Sequence, residues 1–181
     1  MNLPNKLTIS RVIMIPFFVF FLLADLDGLP DGMQKYIASA IFIIASLTDW
    51  FDGYLARKNN LVTNFGKFMD PLADKLLVCS ALICLTAKNQ LAAWIVIVII
   101  SREFIISGFR LLASDNGVVI AASYWGKFKT AFQMIMIIML ILDFSNKYIQ
   151  RITAVATYIA VALTIISLID YLVKNRKVIR E

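Results

Sequence analysis

The sequence predicts an all-α, polytopic membrane protein. It has six transmembrane helices, with a short N-terminal amphipathic interfacial helix ahead of the first. Three observations carry that expectation. Of the 181 residues, 60% are apolar and the mean hydropathy is +0.79, whereas about half the residues of a soluble domain are apolar. Apolar stretches long enough for about 30 Å of hydrocarbon recur six times. Polar turn residues separate them.

The lead-in is "NLPNKLTISRV". Leu3, Leu7 and Ile9 to Val12 are mainly apolar, while Asn5, Thr8 and Arg11 recur every three residues and so share one helical stripe. On spacing alone, that stripe reads equally well as the solvated face of an interfacial helix. The first span, 9–25, follows Lys6 and Arg11 as a signal peptide's apolar core would. It ends in "LLADLDG" without a small-x-small cleavage pattern, so it is expected to remain as an anchor. The remaining spans are placed at 34–56, 66–87, 91–113, 121–143 and 150–173. The breaks are "DLDGLPDG" (25–32), "RKNN" (57–60), "KNQ" (88–90), "SDNG" (114–117) and "DFSNK" (143–147). No repeat, low-complexity tract or linker interrupts residues 1–181, which are expected to form a single domain.

Eighteen Lys and Arg stand against twelve Asp and Glu, a net charge of +6. No basic run interleaves with exposed aromatics, so nucleic acid is not expected as a partner. The cations read instead as loop charge facing anionic lipid. Lys6, Arg11, Arg57, Lys58, Arg110 and the tail "KNRKVIRE" fall on one side of the six-span layout. Lys35, Lys88, Lys147 and Arg151 fall on the other, beside Asp25, Asp27 and Asp31. The larger set marks the cytoplasmic side, which would hold both termini. Cys79 and Cys84, five apart, point about 140° away from each other on a helix and are not expected to pair. With no histidine and no thiol pair, a bound metal would have to be a hard cation on oxygen ligands.

The chemistry concentrates where the second span meets the third. Asp49, Asp52, Gly53 and Ala56 share a helical stripe, with Asp52 about 60° to one side of Asp49 and Gly53 about 40° to the other. Two carboxylates therefore lie beside two residues with almost no side chain, which invites close approach of a bulky ligand or another backbone. In the next span Asp70 and Asp74 are one turn apart, with Pro71 between them expected to bend the helix. A short connection makes the two helices antiparallel neighbours, so four carboxylates can converge at one end of the bundle. Such a cluster needs protons, cationic partners or metal. Arg57, Lys67 and Lys75 could supply a purely structural ion network. That alternative does not explain the glycine and alanine, nor the use of short Asp at all four positions, which suits a pair of divalent cations such as Mg2+ or Mn2+. Hard cations at a membrane surface favour displacement at phosphorus, which needs a base and a cationic pocket for any acceptor phosphate. Arg102, Arg110, Lys127 and Lys129 can supply that pocket. Arg102 has Glu103 beside it, however, and Lys127 and Lys129 cannot tightly share a face, so one of the lysines could simply snorkel.

Written as D-x-x-D-G-x-x-A-R-x8-G-x-x-x-D-x-x-x-D, residues 49–74 resemble the signature of the CDP-alcohol phosphotransferase family at every fixed position: Asp49, Asp52, Gly53, Ala56, Arg57, Gly66, Asp70 and Asp74. The stretches "NLPNKLTISR", "NFGKFMDPLADKLL", "SREF" and "GKFKT" are similar to the bacterial branch that makes phosphatidylglycerophosphate. The resemblance implies CDP-diacylglycerol as donor and sn-glycerol 3-phosphate as acceptor. It implies two divalent cations, bridged by Asp49 and Asp70 and held further by Asp52 and Asp74, with Asp74 also the general base. Asn5, Thr8, Gly53, Ala56, Arg57, Thr63 and Gly66 would form the nucleotide site. Arg110, Lys127 and Lys129, with Arg102, would hold the acceptor phosphate. It also implies a homodimer in the bacterial cell membrane, with the active site on the cytoplasmic side. Rival readings are another acceptor (inositol phosphate, serine or phosphatidylglycerol), a cation or proton transporter with an aspartate relay, and a non-catalytic scaffold.

Overall fold

The computed structural model describes residues 3–24, 30, 32–58, 64–115 and 124–175, without the side chains of residues 3–4, 49–58, 64–65, 67–68, 114 and 115. Among the described residues there are six helices and no strand: α1 (Leu3–Leu23), α2 (Met33–Lys58), α3 (Asn64–Ala87), α4 (Ala93–Asp115), α5 (Tyr124–Leu142) and α6 (Lys147–Lys174). Each contains one of the apolar stretches. The N-terminal lead-in and the first span are one continuous helix, α1, so the polar stripe occupies its opening turns. The breaks at 25–29 and 31, at 59–63 and at 116–123 lie outside the described residues.

The chain forms two compact units. The first takes residues 1–90 and 141–143, the second 91–140 and 144–181. In the first, α1 packs against both α2 and α3 and contacts each more extensively than they contact each other. Small side chains on α2, Ala38, Ser39 and Ala45, are buried. Phe18 and Phe42 fill the middle with ring centroids 5.6 Å apart, and Leu77, Ala81, Leu82 and Leu85 close the core from α3.

Helix ends obey ordinary capping chemistry. The "KNQ" break is a Schellman turn: Asn89 takes the left-handed conformation at φ 58°, Gln90 N–H donates to Leu85 C=O and Asn89 N–H to Thr86 C=O. Lys88 Nζ reaches the C-terminal end of α1, donating to Leu22 C=O at 3.2 Å, which places a cation at the negative pole of that helix. In the "DFSNK" break, Asp143 is left-handed at φ 42° and its carbonyl accepts from Lys35 Nζ at 3.1 Å. Asn146 caps α6 by accepting from Tyr148 N–H at 2.8 Å.

In the second unit α4 packs on α6. The buried residues of α6, Thr157, Ala160, Val161, Thr164, Ser167 and Tyr171, form a single stripe of mainly small side chains. The hydroxyls of Thr157, Thr164 and Ser167 donate back along their own helix, to Thr153 C=O, Ala160 C=O and Thr164 C=O, which satisfies them without water. Phe109 meets Tyr171 edge to face at 6.3 Å.

The outward faces are apolar. Phe17, Phe20, Ile44, Ile97, Phe104, Leu111, Tyr158 and Val173 are all exposed. A surface this apolar is incompatible with water and natural in hydrocarbon. Among the described residues, α1 from Asn5, α5 and α6 are long and apolar enough to span a membrane, and α2 contributes a shorter apolar stretch, Met33–Thr48. The aspartates of α2 and α3 and the Arg102–Glu103 pair of α4 interrupt the other runs. Apart from Glu103, those are the residues that the sequence assigns to chemistry. Cys79 and Cys84 are not joined in a disulfide, as their spacing predicts.

Candidate active site

In the first unit the site begins with the polar stripe of α1. Asn5, Thr8 and Arg11 are all buried, with Thr8 and Arg11 fully so. The stripe is therefore not a solvated interfacial face. Thr8 Oγ1 donates a 2.5 Å hydrogen bond to Asp70 Oδ1 of α3, across sixty-two positions of sequence. On α3, Gly66, Asp70 and Asp74 follow at four-residue intervals along one face. Gly66 is buried and both carboxylates are half-buried. α3 runs through Pro71 as one helix.

The backbone of α2 is helical through Lys58, so Asp49, Asp52, Gly53 and Ala56 do occupy one register stripe. Their side chains and that of Arg57 lie outside the described residues, as does Thr63. Among the described residues no group of three or more metal-ligating side chains assembles. Those that are described suit a hard divalent cation: two carboxylates one turn apart on one helix, one of them fastened by a buried hydroxyl, in a chain without histidine.

The second unit holds a separate buried charge cluster. Arg102 of α4 is about one-tenth exposed and Lys129 of α5 less than that. Arg102 Nη1 donates to Glu103 Oε1 at 3.1 Å, and Lys129 Nζ donates to the same oxygen. Arg102 Nε also donates to Ser167 Oγ of α6 at 3.2 Å. The four cationic candidates thus divide. Arg102 and Lys129 converge on one carboxylate. Arg110 and Lys127 are exposed, with Lys127 Nζ lying 5.4 Å from the centroid of the Tyr124 ring. Gln133, one turn beyond Lys129, is also buried, and its Oε1 has no hydrogen-bond partner among the described residues.

Two site features were read only in part from the sequence. Arg11 was placed on the stripe with Asn5 and Thr8 by its three-residue spacing but was also counted as loop charge, and it is fully buried. Glu103 appeared only as a neighbour of Arg102, although it also receives Lys129 from another helix. The signal was its type: the chain has only two glutamates, Glu103 and Glu181, against ten aspartates.

Apolar faces turned outward and buried ionic groups within each unit define a polytopic helical membrane protein with polar chemistry in its interior. The chain belongs to the CDP-alcohol phosphatidyltransferase family, whose model matches residues 1–166. It is 48% identical, over a 185-residue alignment covering 96% of this chain and 95% of the relative, to the CDP-diacylglycerol–glycerol-3-phosphate 3-phosphatidyltransferase of Bacillus subtilis. The enzyme of the same name from Haemophilus influenzae is 44% identical, with 94% of this chain and 91% of the relative covered. That from Rickettsia typhi is 38% identical, with 94% of each chain covered. The family is generally dependent on divalent metal.

Proposed function

We propose that this membrane enzyme transfers the phosphatidyl group of CDP-diacylglycerol to sn-glycerol 3-phosphate, giving phosphatidylglycerophosphate and CMP. The observation that carries the reading is the signature pair Asp70 and Asp74 on one face of α3, with Asp70 fastened by the buried Thr8 hydroxyl. Full-length similarity to relatives named for this reaction supports the choice of substrates.

Asp49, Asp52, Asp70 and Asp74 would hold two divalent cations, Mg2+ or Mn2+. When bound, these supply positive charge to the phosphoryl oxygens of the donor. Asp74 accepts the proton from the C1 hydroxyl of glycerol 3-phosphate. The freed oxygen bonds to the diacylglycerol-linked phosphorus, the bond from that phosphorus to the CMP oxygen breaks, and CMP leaves with the electron pair. No covalent enzyme intermediate is required. Arg57, Gly53, Ala56, Thr63 and Gly66 hold the CDP group together with Asn5 and Thr8. Because Thr8 spends its hydroxyl proton on Asp70, any contact it makes with the nucleotide falls to its oxygen as acceptor or to its methyl group. Arg102, Arg110, Lys127 and Lys129 hold the acceptor's phosphate, where guanidinium and ammonium groups match a dianion.

The cation asymmetry supports a multi-pass arrangement in the bacterial cell membrane with both termini and the active site cytoplasmic, and the family resemblance supports a homodimer. The testing experiment incubates purified protein with CDP-diacylglycerol, Mg2+ and, separately, glycerol 3-phosphate, inositol phosphate, serine or phosphatidylglycerol. CMP release with glycerol 3-phosphate, and a product of matching mass, is the expected result. CMP release with another alcohol instead would replace the acceptor. No CMP with any of them would return the aspartates to an ion relay or a structural role.

A further inference from the structure

We propose that Glu103 is a positioning residue for the acceptor: its Oε1 gathers the Arg102 guanidinium and the Lys129 ammonium into one doubly cationic clamp for the acceptor's phosphate. The inference rests on the reading above that these two cations bind that phosphate. It adds why they stand together and which residue makes them do so.

Two buried cations on different helices repel each other, and burial removes the water that would screen them. Left alone, they would separate or lose charge. In the structure they meet on a single oxygen, Glu103 Oε1. These three groups, one carboxylate between two cations, sum to +1, so the trio keeps an attraction for a phosphate while satisfying part of its own burial cost. Arg102 is anchored at a second point by Ser167 Oγ. Of its five N–H groups, Nε and one on Nη1 are directed to Ser167 and Glu103, which fixes the plane of the guanidinium. A fixed guanidinium plane is what two-point recognition of a phosphate needs.

The residue type agrees. The four carboxylates of the catalytic signature are all carried by the shorter Asp, whereas Glu103 is one of only two glutamates in the chain. Here the carboxylate must leave α4 and meet a lysine of α5, and the extra methylene supplies that reach. Glu103→Asp keeps the charge and shortens the reach; Glu103→Gln keeps the reach and removes the charge.

The test uses the full-length protein in detergent micelles, with KM measured separately for each substrate. For Glu103→Gln the expected result is a KM for glycerol 3-phosphate raised about tenfold or more, with the KM for CDP-diacylglycerol changed less than about twofold. Glu103→Asp should lie between Glu103→Gln and the parent protein. A merely structural carboxylate would lower the amount of active protein without separating the two KM values. An unchanged acceptor KM, or acceptor and donor KM values rising together, would overturn the proposal. If Glu103→Gln does not yield folded protein, Glu103→Asp decides by the same split. Lys129→Met distinguishes the two levels of the argument. If it raises the acceptor KM while Glu103→Gln does not, only the positioning role falls. If Lys129→Met also leaves the acceptor KM unchanged, the assignment of these cations to the acceptor fails, and the proposal with it.

Discussion

Replacing Thr8 by valine tests how α1 takes part in the chemistry. The two side chains are nearly the same size, so the substitution removes the hydroxyl with little change in packing. The Thr8 Oγ1–Asp70 Oδ1 bond is 2.5 Å long and its donor is fully buried. A hydrogen bond to an ionised group contributes about 1.5–3 kcal/mol, and at about 1.4 kcal/mol per tenfold that corresponds to roughly 10- to 100-fold in an equilibrium constant. Outer-shell partners of metal-binding carboxylates carry about the same factor when removed. The effect should fall on metal loading, because the bond fixes the rotamer of Asp70. Titration of activity with Mn2+, alongside direct Mn2+ binding by the purified protein, is the assay. Thr8→Val should raise the half-saturating Mn2+ concentration about tenfold or more. Thr8→Ser, which keeps the donor, should stay within a few-fold of the parent. Parental Mn2+ binding by Thr8→Val would refute the idea that α1 positions Asp70.

Four further outcomes follow from the same assignments. Asp74→Asn should still bind the lipid nucleotide while turnover stops, measured by CDP-diacylglycerol retention and by CMP release; normal turnover would remove Asp74 as the base. EDTA should abolish activity and added Mg2+ or Mn2+ restore it, and chelator-resistant turnover would remove the metals from the scheme. Arg57→Ala should raise the KM for CDP-diacylglycerol more than that for glycerol 3-phosphate, with the reverse ranking relocating the nucleotide. Arg110→Ala should raise the KM for glycerol 3-phosphate. Its exposure in the structure makes this the more demanding test of the acceptor set, and an unchanged KM would leave Arg102 and Lys129 to act without it.

The helices were legible in the sequence because lipid imposes a length on each apolar run and backbone chemistry imposes an ending. Asn89 in "KNQ" is the clearest case, since a turn residue there becomes the left-handed position of a Schellman turn. Side-chain environment was harder to read. In a soluble helix the apolar face is the buried one, whereas here Phe17 and Phe20 of α1 are exposed while Thr8 and Arg11 are buried. Periodicity of apolar residues therefore does not point to the core, and the α1 stripe stayed ambiguous until its burial was known. The carboxylates of α3 were legible because their four-residue spacing is local. The meeting of Glu103 with Lys129 was not, because it depends on how two helices pack, and uniformly apolar spans carry little record of that. The division of Lys127 from Lys129 was visible in advance, since two residues two apart on a helix face different ways.

The central claim is that the acceptor's C1 hydroxyl oxygen ends on the lipid-linked phosphorus and CMP is the leaving group. Glycerol 3-phosphate carrying heavy oxygen at its C1 hydroxyl tests it in one turnover experiment, with both products read by mass spectrometry. The label should appear in phosphatidylglycerophosphate and be absent from CMP. Heavy oxygen in a cytidine-containing product, with phosphatidic acid released beside it, would place the attack on the other phosphorus and contradict the account.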